Sequence, residues 1–317
     1  MTRPDLSVVV VSRDVRDLLA ACLESLHQSD NGFVIETLVV DAASSDGSSA
    51  MVRKRFPAVR QLASRENLGF TRGNNWAIRL ARGRHVMLLN PDTVVRPGAL
   101  RALVTFLDAH PDVGVAAPKL VFPDGSVQSS RRRFPRPVTG FVESTVLERW
   151  LGRSRVVREY RLDDGPADAP QDVDWVVGAA MVVRREAFEQ AGLLDERFFM
   201  YSEEVDLCRR VRAAGWRVVY VPDAVVVHHE GRSSEQNLVQ RNLDFHESRF
   251  RYYRKHFGRA WSLALRLAVL GHFLFVGAEE AAKLAAGRNP ELRRARLEMT
   301  GRILARQGRD LVAALAT

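Results

Sequence analysis

The feature that most constrains this chain is an alternation, along its first hundred residues, of short β-branched apolar runs with longer stretches whose apolar positions recur every three to four residues. Leu6–Val11 is a compact β-branched run, the pattern of a strand buried on both faces. Val15, Leu18, Leu19, Cys22, Leu23 and Leu26 then fall at i, i+3, i+4, i+7, i+8 and i+11, one continuous stripe of a helix. Leu38-Val39-Val40-Asp41 predicts a second strand ending on an acid, and Ala42–Ser49 is a Ser/Gly loop leading into another helix. Such a βαβα order predicts a mainly parallel sheet with ligands in the crevice beyond the carboxyl ends of its strands.

The alternation continues with a helix near Thr71–Ala81 and a strand, Val86–Leu89, that stops at Asn90-Pro91-Asp92-Thr93. Pro91 has no N–H to give a central strand and so marks where the chain leaves the sheet. Pro97 opens a helix with the stripe Leu100, Leu103, Val104 and Leu107. Residues 131–170 are irregular, with one short helix near Val142–Leu151, and are expected to form a mobile loop. A strand-like stretch, Val173–Val183, is interrupted by Gly178-Ala179-Ala180. After it come an acidic segment, a helix over Glu204–Ala214 capped by Gly215, and two strands, Arg217–Val221 and Val225–His229. Arginine-rich amphipathic helix follows to the end, broken near Gly258, Gly287 and Pro290. The expected division is a catalytic domain over 1–235 and a helical region over 236–317.

Composition narrows the function classes. Hydrophobic residues are 46% of the 317 and charged residues 27%, which excludes collagen-like, disordered and disulfide-scaffold chains. A formal charge of +9 predicts an anionic partner: nucleotide diphosphate, nucleic acid or lipid headgroups. The two cysteines, Cys22 and Cys208, lie on helix faces without metal-ligand spacing, as small buried side chains in a reducing cytosol do. The first apolar run is too short for a signal peptide, so a cytoplasmic location is expected.

Four polar constellations stand at strand ends. In the first, Asp41 can accept a hydrogen bond from a base imide or ribose hydroxyl, while Asp46 and Ser48 equally suit a helix N-cap. In the second, Asp92 of Asn90-Pro91-Asp92 is held at a kink, either as an oxygen ligand for Mg²⁺ or Mn²⁺ or as a turn residue. The third places Asp195, Glu196, Glu203, Glu204 and Asp206 within twelve residues around Phe198-Phe199-Met200-Tyr201. Acids favour a helix start, but a carboxylate beside aromatic surface also has the raised proton affinity a general base needs. The fourth is His228-His229; neighbouring strand residues point to opposite faces, so at most one faces the crevice.

In their order and spacing these segments resemble a family-2 glycosyltransferase of the rhamnosyltransferase-like branch. The resemblance runs from about Leu6 to Ser234. It rests on Val39-Val40-Asp41 with Ser45-Asp46-Gly47-Ser48, Glu66-Asn67-Leu68-Gly69-Phe70 with Gly73-Asn74-Asn75, Leu88–Thr93, Gly178-Ala179-Ala180 and the run Gly192–Leu207. It implies an α/β GT-A fold, the Rossmann-like fold of nucleotide-diphospho-sugar transferases, with a mixed, mainly parallel sheet and a C-terminal helical extension. It implies that Asp41 contacts the donor's base beside the backbone of Val11 and Ser12, and that Asp46, Asn67 and Gly69 belong to the same donor site. Asp92 matches the final acid of the family's metal motif and Asn90 stands at its first acid. His228, Gly231 and Ser233 match a His-x-x-Gly-x-Ser spacing and make His228 the expected metal ligand, with His229 the other choice. Glu204 matches the catalytic base, with Glu203 or Asp206 as sharers of the task. Arg131, Arg132 and Arg133 form either a clamp on the diphosphate or a solvated loop.

The implied reaction is inverting transfer from a nucleotide-diphosphate sugar, dTDP-rhamnose by preference, to a glycan or polyprenyl-linked acceptor, assisted by a divalent metal. An 18-residue apolar stretch, Trp261–Ala278, contains Arg266 and His272, which argue against a simple spanning helix and for an interfacial one. With arginines on both sides it is expected to meet an anionic membrane on its cytoplasmic face; a helical cap or a dimer interface is the alternative. A dinucleotide oxidoreductase is disfavoured because Ser12-Arg13-Asp14 stands where a Gly-x-Gly-x-x-Gly turn belongs. A nucleic-acid-binding protein is disfavoured because no zinc-finger, RRM or KH pattern appears.

Overall fold

The computed structural model describes residues 3–29, 32–162, 167–231 and 238–316, which divide into two compact units. The first comprises Met1–Phe134 and Arg161–Ser233, the second Pro135–Tyr160 and Ser234–Thr317. Residues 135–160, assigned by sequence to the first domain, thus belong to the second unit.

In the first unit the expected alternation appears as β1 (Leu6–Ser12), α1 (Arg16–His27), β2 (Ile35–Ala42), α2 (Ser48–Arg55), β3 (Arg60–Ser64), α3 (Gly69–Leu80) and β4 (His85–Leu89). A short β5 (Thr93–Val95), α4 (Ala99–Ala109), β6 (Val113–Val121) and β7 (Arg131–Arg132) follow. The second unit takes α5 (Pro137–Glu143), α6 (Glu148–Leu151) and most of α7 (Arg155–Arg161). The chain then forms β8 (Gln171–Val173), β9 (Trp175–Val176), β10 (Ala180–Arg184), α8 (Arg185–Ala191), α9 (Glu203–Ala213) and β11 (Arg217–His228). Three long helices complete the second unit: α10 (Leu238–Phe257), α11 (Arg259–Ala285) and α12 (Pro290–Ala316).

The main sheet has nine strands in the order β3-β2-β1-β4-β10-β6-β11-β5, with β8 also on β11. Strands β1 to β4, β6 and β11 run one way; β5, β8 and β10 oppose them. Val8, Val9, Val10, Val39, Met87 and Leu88 are shut away from water, as their unbroken apolar runs require. Helices α1 and α4 bury Leu19, Leu23, Leu100, Leu103 and Leu107 in the same core.

Two expectations are corrected here. The strands expected over Arg217–Val221 and Val225–His229 are one strand with a register shift, because the chain leaves ladder pairing around Pro222, which has no N–H to give, and resumes on the same neighbour, β6. The segment 131–170 is not a single mobile loop among its described residues: β7 pairs antiparallel with β9, and three helices follow.

In the second unit α11 has its polarity inside out. Its exposed residues after Arg259 are Ala260, Trp261, Leu267, Gly271, Leu274, Phe275, Ala278, Ala281, Ala282 and Ala285, all apolar or glycine. Two of its ionic residues turn inward: Arg266 pairs with Glu247 at 2.9 Å, and the buried Glu280 with Arg293 at 2.8 Å. Arg249, on α10, is likewise paired with Glu143 at 3.0 Å.

Candidate functional site

Parallel strands that end together deliver their next residues to one place. Ser12 lies opposite Asp41 in the β1–β2 register, and Val10 is flanked by Val39 and Leu89, so Val11, Ser12, Asp41 and Asn90 stand along one edge of the sheet. Asp41 is buried, and its Oδ1 accepts the Ser44 N–H at 3.3 Å. Asp46 spends both oxygens on helix starts: Oδ2 accepts Arg16 N–H at 2.8 Å and Oδ1 accepts Ser48 N–H at 2.9 Å. Burial raises its proton affinity, but the Ser48 hydroxyl and these N–H groups outweigh that and hold its carboxyl below the usual range. The capping reading therefore accounts for its contacts.

The Asn90–Thr93 turn is built as the proline implies. Thr93 Oγ1 donates to Asn90 O at 2.7 Å, and Asn90 N–H donates to Ala179 O at 2.8 Å. The Cys22 thiol packs beneath it, 3.7 Å from both Asn90 O and Thr93 Oγ1, and burial pushes its pKa up to about 12. Asp92 is buried, its carbonyl accepts the His229 N–H at 2.9 Å, and its Oδ1 lies 3.6 Å from His228 Nε2. Of the two histidines, His228 therefore meets the turn with its side chain. Ser233, third in the expected spacing, lies outside the described residues.

Gln128 holds the His228 ring, and sequence reasoning missed it. Its Nε2 donates to His228 O at 2.7 Å, which leaves Oε1 to accept from His228 Nδ1 at 2.9 Å. The proton thus sits on Nδ1 and the Nε2 lone pair faces the Asp92 carboxylate. Burial lowers the His228 pKa although Asp92 pulls the other way, so the ring is neutral near pH 7. Two electron-pair donors held 3.6 Å apart in a buried site fit a cation between them. Among the described residues no group of three or more His, Cys, Asp or Glu side chains forms a fuller cluster.

The acidic helix reaches the same strand ends through glycine. A Cβ on Gly178 would stand 3.3 Å from Glu204 Cβ, so the bare backbone beside Ala179 gives the Glu204 stem its place. Glu204 is half-buried while Glu203 is buried with Oε2 lacking a hydrogen-bond partner. Burial, then the neighbouring Glu204 charge, push the Glu203 pKa well above the ordinary carboxylate range. Asp206 is fully buried and paired with Arg210 Nε at 2.9 Å, and Arg210 in turn donates to Gly192 O at 3.1 Å, so Asp206 ties α9 to the end of α8. Cys208 lies one turn beyond Glu204, also buried, its pKa raised to about 12 by burial.

The glycine-asparagine motif supports that helix from below. Gly69 has φ +67°, and a Cβ there would meet Phe199 O at 2.6 Å; Phe70 N–H donates to that carbonyl at 2.9 Å. Asn67 Oδ1 accepts the Gly69 N–H at 3.0 Å. Buried Asn75 pairs with both backbone groups of Leu194, at 2.8 and 3.1 Å, as a strand would. Ser12 Oγ, Thr71 Oγ1 and Asn74 Oδ1 are buried around the same strand ends with no hydrogen-bond partner. Arg131 is not on a free loop: its guanidinium lies 5.1 Å from the Tyr220 ring centre and donates to Gln171 Oε1 at 2.7 Å.

Residues 4–243 match the family model described as "Glycosyltransferase like family 2". The N-acetylglucosaminyl-diphospho-decaprenol L-rhamnosyltransferase of Mycobacterium tuberculosis is 32% identical over 250 residues, 75% of this chain and 80% of that protein. The rhamnosyltransferase WbbL of Escherichia coli is 26% identical over 262 residues, 77% of this chain and 91% of that one. A mannosyltransferase from Pyrobaculum calidifontis, solved with GDP-Man and Mn²⁺, superposes with a TM-score of 0.56 at 19% identity, covering 100% of this chain and 87% of that one. TarS of S. aureus superposes with a TM-score of 0.51 at 15% identity, covering 96% and 91%.

Proposed function

The chain belongs to glycosyltransferase family 2 and has its GT-A fold, and from that premise we propose that it is an inverting, metal-assisted rhamnosyltransferase. The donor in this reading is dTDP-rhamnose and the acceptor a polyprenyl-linked glycan at the cytoplasmic face of the membrane. The observation that carries it is the pairing of Asp92 and His228 beside the strand ends, oriented by Gln128. The rhamnosyltransferase activity of the Mycobacterium and Escherichia relatives supports the sugar, the decaprenol-linked acceptor of the Mycobacterium enzyme supports the lipid-linked acceptor, and the Mn²⁺ in the Pyrobaculum complex supports the cation.

In this reading Asp41 and the backbone of Val11 and Ser12 receive the donor's base, and Asn67, Gly69, Asn90 and Arg131 complete the donor-binding set. Mg²⁺ or Mn²⁺ would be held by Asp92 and His228, with diphosphate oxygens and water as the remaining ligands, and would neutralise charge gathering on the leaving diphosphate. Burial and the Glu204 charge raise the proton affinity of Glu203, so Glu204 is assigned as the base; neighbouring carboxyls whose environments separate their proton affinities divide acid and base roles in this way. Glu204 takes the proton of an acceptor hydroxyl. That oxygen bonds to the anomeric carbon as the carbon–diphosphate bond breaks on the opposite face, inverting the configuration.

The test is transfer to polyprenyl-diphospho-N-acetylglucosamine with a panel of nucleotide sugars and Mn²⁺. Rhamnose is expected to appear in the product with inverted configuration. Glu204→Gln is expected to lose about 10²–10⁴-fold in kcat, the usual contribution of a general base. Transfer only from another donor would overturn the sugar assignment, and full activity in both Asp92→Ala and Glu204→Gln would overturn the site.

A further inference from the structure

The second unit holds a cavity of about 150 Å³ whose lining is strongly positive. Arg251, Arg254, Arg259 and Arg266 line it against a single carboxylate, Glu247. That carboxylate is already divided, one oxygen accepting from Arg251 Nε at 3.2 Å and the other from Arg266 Nη2 at 2.9 Å. Arg266 lies 4.3 Å over the Phe250 ring with only 11% of its side chain exposed, and its Nη1 is buried without a hydrogen-bond partner. The four guanidinium groups of the lining offer charge-assisted donors to ligand oxygens, against the one carboxylate of Glu247. The first turns of α11 also line the cavity, through Arg259, Ser262 and Leu263. The N-cap there is Gly258 with no side-chain cap, so the positive end of a 27-residue helix adds to the same field. The space exceeds the volume of one water, about 30 Å³, several-fold.

We propose that this cavity binds the phosphate of a membrane lipid, with the outward apolar residues of α11 taking its hydrocarbon surroundings. Forked guanidinium groups match phosphate oxygens, and the same helix that offers the charged cavity at its start presents Leu267, Leu274 and Phe275 to the outside further along. The inference deepens the membrane partner proposed above and rests on that reading for its lipid source.

The experiment uses the full chain, vesicles of phosphatidylcholine with or without phosphatidylglycerol, and inorganic phosphate. Arg254 and Arg259 are exposed, so Arg254→Gln/Arg259→Gln is expected to fold; Arg294→Gln/Arg302→Gln, on exposed positions of α12, removes the same charge elsewhere. Affinity for phosphatidylglycerol vesicles is expected to fall about 30-fold in the cavity pair, the equivalent of about 1 kcal/mol for each basic residue. A clearly smaller loss is expected in the α12 pair. Equal losses in the two pairs would overturn the cavity as a site while leaving membrane binding intact. Thermal stabilisation by inorganic phosphate that the cavity pair abolishes, without any change in vesicle binding, would assign the cavity to soluble phosphate and overturn the lipid. A wild-type chain that ignores anionic vesicles would overturn the cavity proposal and the membrane reading together; transfer to a soluble acceptor tests the catalytic reading separately.

Discussion

At the scale of single residues, the site depends on side chains whose protonation is set by what surrounds them. Glu203 is the clearest case, since burial and the Glu204 charge both raise its pKa. A carboxyl that keeps its proton in the folded chain but loses it when unfolded near pH 4.3 weakens the fold as pH rises. That loss begins near the ordinary glutamate pKa and continues until the raised pKa of the folded state is passed. Glu203→Gln should therefore melt higher than wild type by a margin that grows as pH is raised above the ordinary glutamate pKa, and a constant margin would contradict the assignment. Gln128 fixes His228 from a position 100 residues away in sequence. Gln128→Ala should weaken Mn²⁺ binding about 10–100-fold, the usual effect of removing a ligand's orienting partner. Calorimetric titration of Mn²⁺ measures this directly, with circular dichroism to check folding.

At the scale of elements, glycines and amides decide how the helices meet the strand ends. Gly69→Ala forces an L residue into left-handed backbone, about 1–2 kcal/mol, and drives a methyl into Phe199, so the melting temperature should fall along with donor affinity. An unchanged melting temperature would mean that α3 does not need its close seat. Much of this architecture was legible beforehand: the boundaries of β1, α1, β4 and α9 lie within a few residues of those implied by periodicity, Pro91 and Gly215. Strands β3, β6 and β7 were not, for identifiable reasons. Arg60–Ser64 is a polar edge strand that carries no apolar run, and Val113–Val121 is broken by Gly114 and Pro118. Arg131–Arg132 is held by distant Trp175–Val176, a pairing that local pattern cannot reveal. The same holds in the site: Asp41, Asp92 and Glu204 were visible as acids at strand or helix ends, whereas Gln128 and the buried state of Glu203 arise only when distant segments pack together.

For the whole molecule, the proposed membrane reading assigns the excess of nine positive charges and the outward apolar face of α11 to one surface. Charge attraction between exposed groups is screened over about 10 Å at 0.1 M salt and about 3 Å at 1 M, while apolar insertion does not weaken with salt. Raising salt should therefore release most of the chain from phosphatidylglycerol vesicles in a flotation assay. The fraction that stays bound measures α11, where taking a leucine or phenylalanine fully out of water contributes about 1.5–3 kcal/mol. Binding indifferent to salt would leave the arginines with no part in it.

The two cysteines, finally, stand behind opposite poles of the proposed chemistry, Cys22 under the Asn90–Thr93 turn and Cys208 one turn along α9 from Glu204. With both thiols shut in and pushed up to about 12, neither reacts while its pole is closed. An alkylating reagent therefore counts openings: the labelling rate at each cysteine is a separate clock for the breathing of the diphosphate side and of the acceptor side, already built into the native chain.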